Sequence, residues 1–520
     1  MRNLTAVFLA IAFLLGCRSS HGQPQSKYVP KPKPVRGEYE VGMYYFPRWQ
    51  IYRWWSYLEN FPERKPLLGY YREGDPEVAD WQIKWMVEHG VTFIVYDWYW
   101  ESGVIQLEHA LENGYFRAKY RDKIKFCLLW ANHNSPGTAS AEDMVKVTRY
   151  WLDNYFLKPE YLKVDGKPVV IIFNPSRLTN DMGVEAVKQA LAKSRDMAKE
   201  RGLPGIYFAA CTYCQPDIMK AIEQEGYDAL TGYNYPSAGD KGQKRAPYDD
   251  MVTGYQEMWN CIADNSTLRY IPVAEAGWDS RPWDGPDARV RTGKSPAKFG
   301  KMLENAKRFV EQRTPTAKPK IVLLEAWNEF GEGDYIEPCK GYGFGYLDAV
   351  RDAFTSAPKA HKDVTPREVG LGPYEIPNSK LMRAWEFDNP KWSDGWAASQ
   401  DLRDAKVRKG SFYAVSTNND PAFYSDVLDI DPSKYPQAEI RMRVDKGKSA
   451  QLFWTLFPAG YTEESSIKFN LIPDGKFHMY RLNLAECPAW KSKVDLMRFD
   501  PTDAEGDHIE WDYIRFVTGK

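Results

Sequence analysis

IVLLEAWNEFGEGDYIEP, residues 321–338, opens on an apolar run and closes in an acidic, glycine-broken turn. Ile321–Leu324 reads as a buried strand, since consecutive large apolar residues suit a strand covered on both faces. Glu325, Trp327, Asn328, Glu329 and Glu332 begin where that strand stops, in a loop opened by Gly331 and Gly333. Two carboxylates three residues apart at a strand end, Glu329 and Glu332, are what acid/base chemistry on a sugar requires. Acidic residues in a glycine turn are also commonly just solvated, so the surrounding chain has to decide between the two readings.

Working outward, seven more apolar runs precede this one: Val41–Phe46, Thr92–Tyr96, Lys125–Trp130, Val169–Phe173, Gly205–Ala210, Ala229–Tyr233 and Tyr270–Ala274. Amphipathic segments lie between them, among them Glu77–His89, Ala141–Tyr155, Val184–Arg201, Tyr248–Cys261 and Pro296–Arg313. Eight strand-then-helix units over residues 38–360 predict an α/β fold, a (β/α)8 TIM barrel, with an open doubly wound sheet as the fallback.

A barrel does its chemistry where strand C-termini meet the following loops. Those positions hold Tyr45 after the first strand, Asp97 and Trp98 after the second, and Asn132 and His133 after the third. Asn234 follows the sixth strand, Glu275 and Trp278 the seventh, and Trp327, Asn328, Glu329 and Glu332 the eighth. Glu329 and Glu332 read as catalytic and the others as substrate-binding, with structural hydrogen bonding the competing role for Asp97 and Glu275. His133 suits a hydrogen bond to a sugar hydroxyl. None of the seven histidines shows metal-ligand spacing with another, so neither a metal nor a cofactor is expected. No glycine-rich phosphate loop follows a strand, and no G-x-S-x-G elbow occurs.

The flanks read differently. Arg2 and the apolar Leu4–Leu15 form a secretory signal over residues 1–16. Leu14-Leu15-Gly16-Cys17 resembles a bacterial lipobox, which implies lipidation of Cys17 and attachment to a membrane. Residues 17–37, rich in Ser, Gly, Pro and Lys, read as a flexible tether. Residues 361–380, with Pro366, Gly370, Gly372, Pro373 and Pro377, read as a linker. Short alternating runs over 381–520 predict an all-β, jelly-roll-like sandwich, with Trp396 or Trp454 as sugar-stacking candidates and support of the barrel as the other role. Six further cysteines are too sparse for a disulfide scaffold, and Cys211-x-x-Cys214 reads as core. Net charge −1 and a pI near 6.7 leave no footprint for nucleic acid. Aromatic content of 15%, with 19 Trp and 33 Tyr, leans toward sugar contact.

The turn from Asn328 to Gly333, with Ile336-Glu337 downstream, resembles the NEWxEGxxIE signature of glycoside hydrolase family 99. It is closer still to the bacterial family 71/99-like group labelled WbsX-like, whose pattern reads WNEWGEG. GMYYFPRW, YDWYW and AGWDSRP resemble strand-end motifs of that group. The resemblance covers residues 38–360 and implies that Glu329 acts as base on a substrate 2-hydroxyl and Glu332 as acid/base at the glycosidic oxygen. It further implies a 1,2-anhydro intermediate, net retention, and α-manno-configured substrates of mannose or rhamnose type. This chain departs from the family pattern with Phe330 in place of Trp and Gly331 in place of His; both glutamates stand. The expectation is an extracytoplasmic, lipid-anchored glycoside hydrolase acting on a polysaccharide or glycan. The alternatives are a non-catalytic glycan-binding surface lipoprotein and a glycosyltransferase.

Overall fold

The computed structural model describes residues 28–101, 103–390 and 392–518. The signal, Cys17 and the first part of the tether lie outside the described residues. Eight parallel strands form the barrel: β1 Tyr39–Tyr45, β2 Phe93–Glu101, β3 Lys125–Trp130, β4 Lys167–Ile172, β5 Tyr207–Cys211 and β6 Ala229–Thr231, then β7 in two pieces, Arg269–Tyr270 and Val273–Glu275, and β8 Lys320–Glu325. The first piece of β7 pairs with β6 and the second with β8, while β8 also pairs with β1. The sheet therefore closes on itself, and the open doubly wound alternative falls. The break in β7 sits at Ile271-Pro272, where proline removes a ladder donor.

Helices α1 Pro76–Glu88, α2 Ala141–Asn154, α3 Val184–Glu200, α4 Pro216–Glu225, α5 Tyr248–Asp264, α6 Pro296–Arg313 and α7 Gly345–Phe354 surround the sheet. Their starts follow from local chemistry. The side chains of Asp75, Ser140 and Ser295 accept backbone N–H bonds at the heads of α1, α2 and α6, and proline opens α1, α4 and α6. Between β2 and β3 a short π-helical turn, Ala110–Gly114, and two 3-10 turns replace a helix.

Two readings are corrected here. Residues 28–37 are not loose tether: Val35 N–H donates to Val87 O at 2.9 Å, and Tyr120 donates its hydroxyl to Val29 O at 2.8 Å. The prolines fix an extended backbone, whose N–H and carbonyl groups find partners on α1 and the turns beside it. Cys214 is likewise not a bystander, because it forms a disulfide with Cys261 that joins the loop after β5 to α5.

Beyond the linker, two antiparallel sheets face each other. One centres on His508–Val517 and the other on Leu496–Asp500. Trp396 and Trp454 are 1% and 2% exposed and belong to the core between the sheets, so neither offers a stacking face. The sandwich grips the barrel through the loop after β1. Asp426 accepts the backbone N–H groups of Tyr52 and Arg53, each at 2.6 Å, and Arg72 lies 4.2 Å over the Trp392 ring.

Candidate active site

Past β8 the chain folds back as a short hairpin, Asn328–Glu329 against Asp334–Tyr335, at the C-terminal mouth of the barrel. The turn between them depends on its two glycines. A Cβ on Gly331 would stand 1.8 Å from the Trp283 indole, and Gly333, at φ +74°, lies flush against Asp279. Arg64, itself buried, donates to Phe330 O at 2.8 Å and pairs with Asp279 at 2.7 Å, locking the turn from behind. Phe330 packs among Trp49, Trp55 and Tyr335.

This scaffold presents Glu329 and Glu332 to different surroundings. Glu329 is 5% exposed and contacts the Tyr233 hydroxyl at 3.0 Å, which also contacts Asp97 at 2.9 Å. A phenol carries one proton, so it can donate to only one of these acids at a time; the other holds a proton and donates back. Burial pushes the Glu329 carboxyl well above its ordinary value, the charges of Glu332 and Asp97 add to that, and Tyr233 and Arg48 oppose it. Glu332 keeps part of its surface open and accepts from Asn234 Nδ2 at 3.4 Å. Burial, with the charge of Asp284, raises it to about 7.

More acids crowd beneath. Asp97, Glu275, Glu325 and Asp334 are all buried and all pushed well above the ordinary carboxylate range, chiefly by desolvation. Neither oxygen of Glu325 has a hydrogen-bond partner. Lys294 lies behind the turn, donating to Gly333 O, and burial lowers its amine to about 8. A cavity of about 320 Å³ opens on this back side, lined by Arg64, Asp279, Arg281, Arg291 and Lys294, and does not reach Glu329 or Glu332.

Of the residues the sequence proposed, the structure brings Glu329, Glu332, Asp97 and Asn234 together, with His133 exposed at the rim against Phe173 and near Tyr99. Others lie elsewhere. Tyr45 points outward, donating to Gln82 Oε1 at 3.1 Å, and Trp98 packs outside the barrel near Trp100, donating to the Tyr155 hydroxyl at 3.3 Å. Asn132 clamps Asn174 through two 2.7 Å bonds. Asn328 spends its amide on Phe46 N, Phe46 O and Glu73, each at 2.9 Å. Trp327 and Glu275 are fully enclosed, and Trp278 is 9% exposed on the loop that packs under Gly333. Tyr45, Trp98, Asn132, Asn328, Trp327 and Glu275 are thus framework, not surface for a sugar.

Three residues outside the expected set belong to the mouth. Tyr44 packs edge-on against Tyr233 at 5.0 Å. Tyr99 is half-buried, and its phenol feels the charges of Asp97, Glu329 and Glu332. Arg48 is half-buried 3.6 Å over the Trp54 ring, and its charge reaches Glu329. Strand alternation was the available signal: if Asp97 faces inward, so does Tyr99, and Trp98 does not.

Residues 60–350 match the family described as Glycosyltransferase WbsX, and the chain belongs to that family. Uncharacterized protein WxcX of Xanthomonas campestris pv. campestris (strain B100) is 24% identical over 402 residues, 73% of this chain and 53% of its own. The chain spans about half the length of the curated relatives it matches. Among solved structures, a glycoside hydrolase-like protein aligns at 19% identity and TM-score 0.47, covering 64% of this chain and 98% of that one. A GH99 endo-alpha-mannosidase from Bacteroides thetaiotaomicron aligns at 18% identity and TM-score 0.43, covering 61% of this chain and 99% of its own.

Proposed function

We propose that this WbsX-family chain is an extracytoplasmic glycoside hydrolase that cleaves α-manno-configured linkages, of mannose or rhamnose type, in a polysaccharide or glycan. The observation that carries the reading is one turn at the barrel mouth bearing two carboxyls whose surroundings differ, Glu329 buried beside Tyr233 and Asp97, Glu332 partly open beside Asn234. Glu332, raised to about 7, is suited to give a proton to the glycosidic oxygen and take one back from water. When Glu332 is protonated and Asp97 shares a proton with Tyr233, burial still favours the proton on Glu329, but the two neighbouring charges that add to it are gone. Arg48 and the Tyr233 hydroxyl then favour its anion, which is the form that takes the proton of the substrate 2-hydroxyl. The sugar's O2 displaces the leaving oxygen from the opposite face, forming a 1,2-anhydro ring; water then opens that ring with Glu332 as base, and Glu329 returns its proton to O2. Two inversions give net retention. Back-side attack requires O2 trans to the leaving group, which selects α-manno and α-L-rhamno configurations.

The family's description favours a second reading, glycosyl transfer from an activated donor. A diphosphate donor would meet buried acids at this mouth, with Arg48 the cation whose charge reaches Glu329, so the electrostatics favour hydrolysis. Leu14-Leu15-Gly16-Cys17 and the Cys214–Cys261 disulfide support an oxidising, extracytoplasmic setting with a lipid anchor at Cys17.

Incubation of the full chain with α-mannans, rhamnose-containing polysaccharides and N-glycans, followed by chromatography of released sugars, tests the proposal. Release from an α-manno-configured substrate, lost in Glu332→Gln, is expected. Binding without release would establish the glycan-binding alternative, and transfer from a nucleotide sugar the second reading.

A further inference from the structure

At the end of the barrel opposite the mouth, four side chains that no local spacing connects converge. His89 follows the last turn of α1, Asp348 sits in the first turn of α7, and His361 and Asp363 lie on the segment that leaves α7 for the linker. One ligand atom from each lies within 4.8 Å of the other three. His89 Nε2 stands 3.5 Å from Asp348 Oδ1 and 3.3 Å from Asp363 Oδ1; His361 Nε2 stands 3.2 Å from Asp348 Oδ1 and 3.5 Å from Asp363 Oδ2. The two Nε2 atoms are 3.3 Å apart.

The tautomers are set from outside the cluster. His89 Nδ1 lies 2.6 Å from Trp85 O and His361 Nδ1 lies 2.8 Å from Lys359 O. A carbonyl only accepts, so each Nδ1 carries a proton, and with a cation between them each ring would be neutral and turn an Nε2 lone pair inward. Two Nε2 atoms and two carboxylates then face one another, joined either by a cation or by protons on the rings. Asp348 Oδ1 is buried with no hydrogen-bond partner, His89 is fully buried, and Phe344 stacks on the His89 ring at 5.9 Å. Carbonyl bonds to the outer ring nitrogen are how proteins orient metal-bound histidines.

We propose that His89, Asp348, His361 and Asp363 form a structural divalent-metal site of the zinc class. Tetrahedral zinc with bonds of about 2.0–2.1 Å has ligand-to-ligand edges of about 3.3 Å, and the three separations among His89 Nε2, His361 Nε2 and Asp348 Oδ1 run from 3.2 to 3.5 Å, with one Asp363 oxygen as near to each histidine. Two imidazoles exclude the all-oxygen preference of calcium and magnesium, and two carboxylates balance a divalent charge. Four protein ligands close the site, so its work is to staple the chain leaving the barrel onto α1 and α7. The Trp85 indole reinforces the same joint, donating to Val364 O at 3.0 Å.

The test equilibrates the full chain with zinc, removes unbound metal by gel filtration and measures retained zinc by mass spectrometry. One zinc per chain is expected, falling about ten-fold or more in His361→Gln and in Asp363→Asn. Both substitutions lie on the outer segment and leave buried His89 in place. Chelation should lower the melting temperature of the native chain and leave that of His361→Gln unchanged, and cobalt loading should give the visible bands of a tetrahedral site. Substoichiometric zinc in the native chain, or retention in the variants equal to that of the native chain, overturns the site. So does melting that depends on pH but not on chelator, which would mark the cluster as imidazolium–carboxylate pairs.

Discussion

Both domains bury carboxylates, and they surround them differently. In the sandwich, Asp426 accepts three backbone N–H groups, from Tyr52, Arg53 and Val427, which oppose the burial that raises it to about 6. Glu510 is held by Ser411, Arg443 and Arg408, which together outweigh its burial and keep its pKa below the ordinary value. At the barrel mouth, Asp97, Glu275 and Asp334 each leave one oxygen without a partner, Glu325 leaves both, and all four are pushed upward. An acid buried with its donors is a joint. An acid buried among other acids holds its proton, because the fold disfavours its charged form.

Substitution separates the two kinds most sharply. Glu332→Gln should lower sugar release by about 10²- to 10⁴-fold while leaving the melting temperature unchanged or raised, because it removes a charge the fold disfavours. A loss of stability equal to the loss of turnover would break the contrast. Asp426→Ala, the joint, should cost about 1–3 kcal/mol in denaturant unfolding, since three N–H groups at the domain contact lose their acceptor.

The pH response sharpens the contrast further. Glu332 has a folded-state pKa of about 7 against an ordinary 4.5, so the folded chain holds this proton more tightly than the unfolded one. The stability this confers is whole below about pH 4.5 and is lost as pH rises through 7. Sugar release should decline over the same alkaline limb, by about ten-fold per pH unit, and Glu332→Gln should make the stability slope shallower, the other raised acids of the mouth keeping their share. The smallest effect is expected at Tyr99, where Tyr99→Phe removes a hydroxyl at the mouth and should cost about 0.5–1.5 kcal/mol, read as a modest rise in KM.

The barrel was legible because buried parallel strands write themselves as unbroken apolar runs, and each of the eight runs has its counterpart strand. The acidic turn was legible because its glycines and glutamates are contiguous. What escaped was orientation and long-range closure. Tyr45 and Trp98 sit one residue from the inward-facing Tyr44 and Tyr99, and a strand end read as a set of residues hides that alternation. Asn132 and Asn328 look like ligands for a sugar, yet each closes a pair of bonds with another loop's backbone. Cys214 and Cys261 lie 47 residues apart, and His89 and His361 lie 272 apart, so no window of sequence holds either pair.

The grip of Asp426 on Tyr52 and Arg53 makes the two domains inseparable in practice, although a proline- and glycine-rich linker divides them. The gripped segment follows directly on the strand end that supplies Arg48, whose guanidinium rests on the neighbouring Trp54. A chain trimmed at the linker would keep every acid of the mouth and still release the arm that steadies Glu329. On the proposed reading, the sandwich contributes rigidity to the site where it contributes no reacting atom.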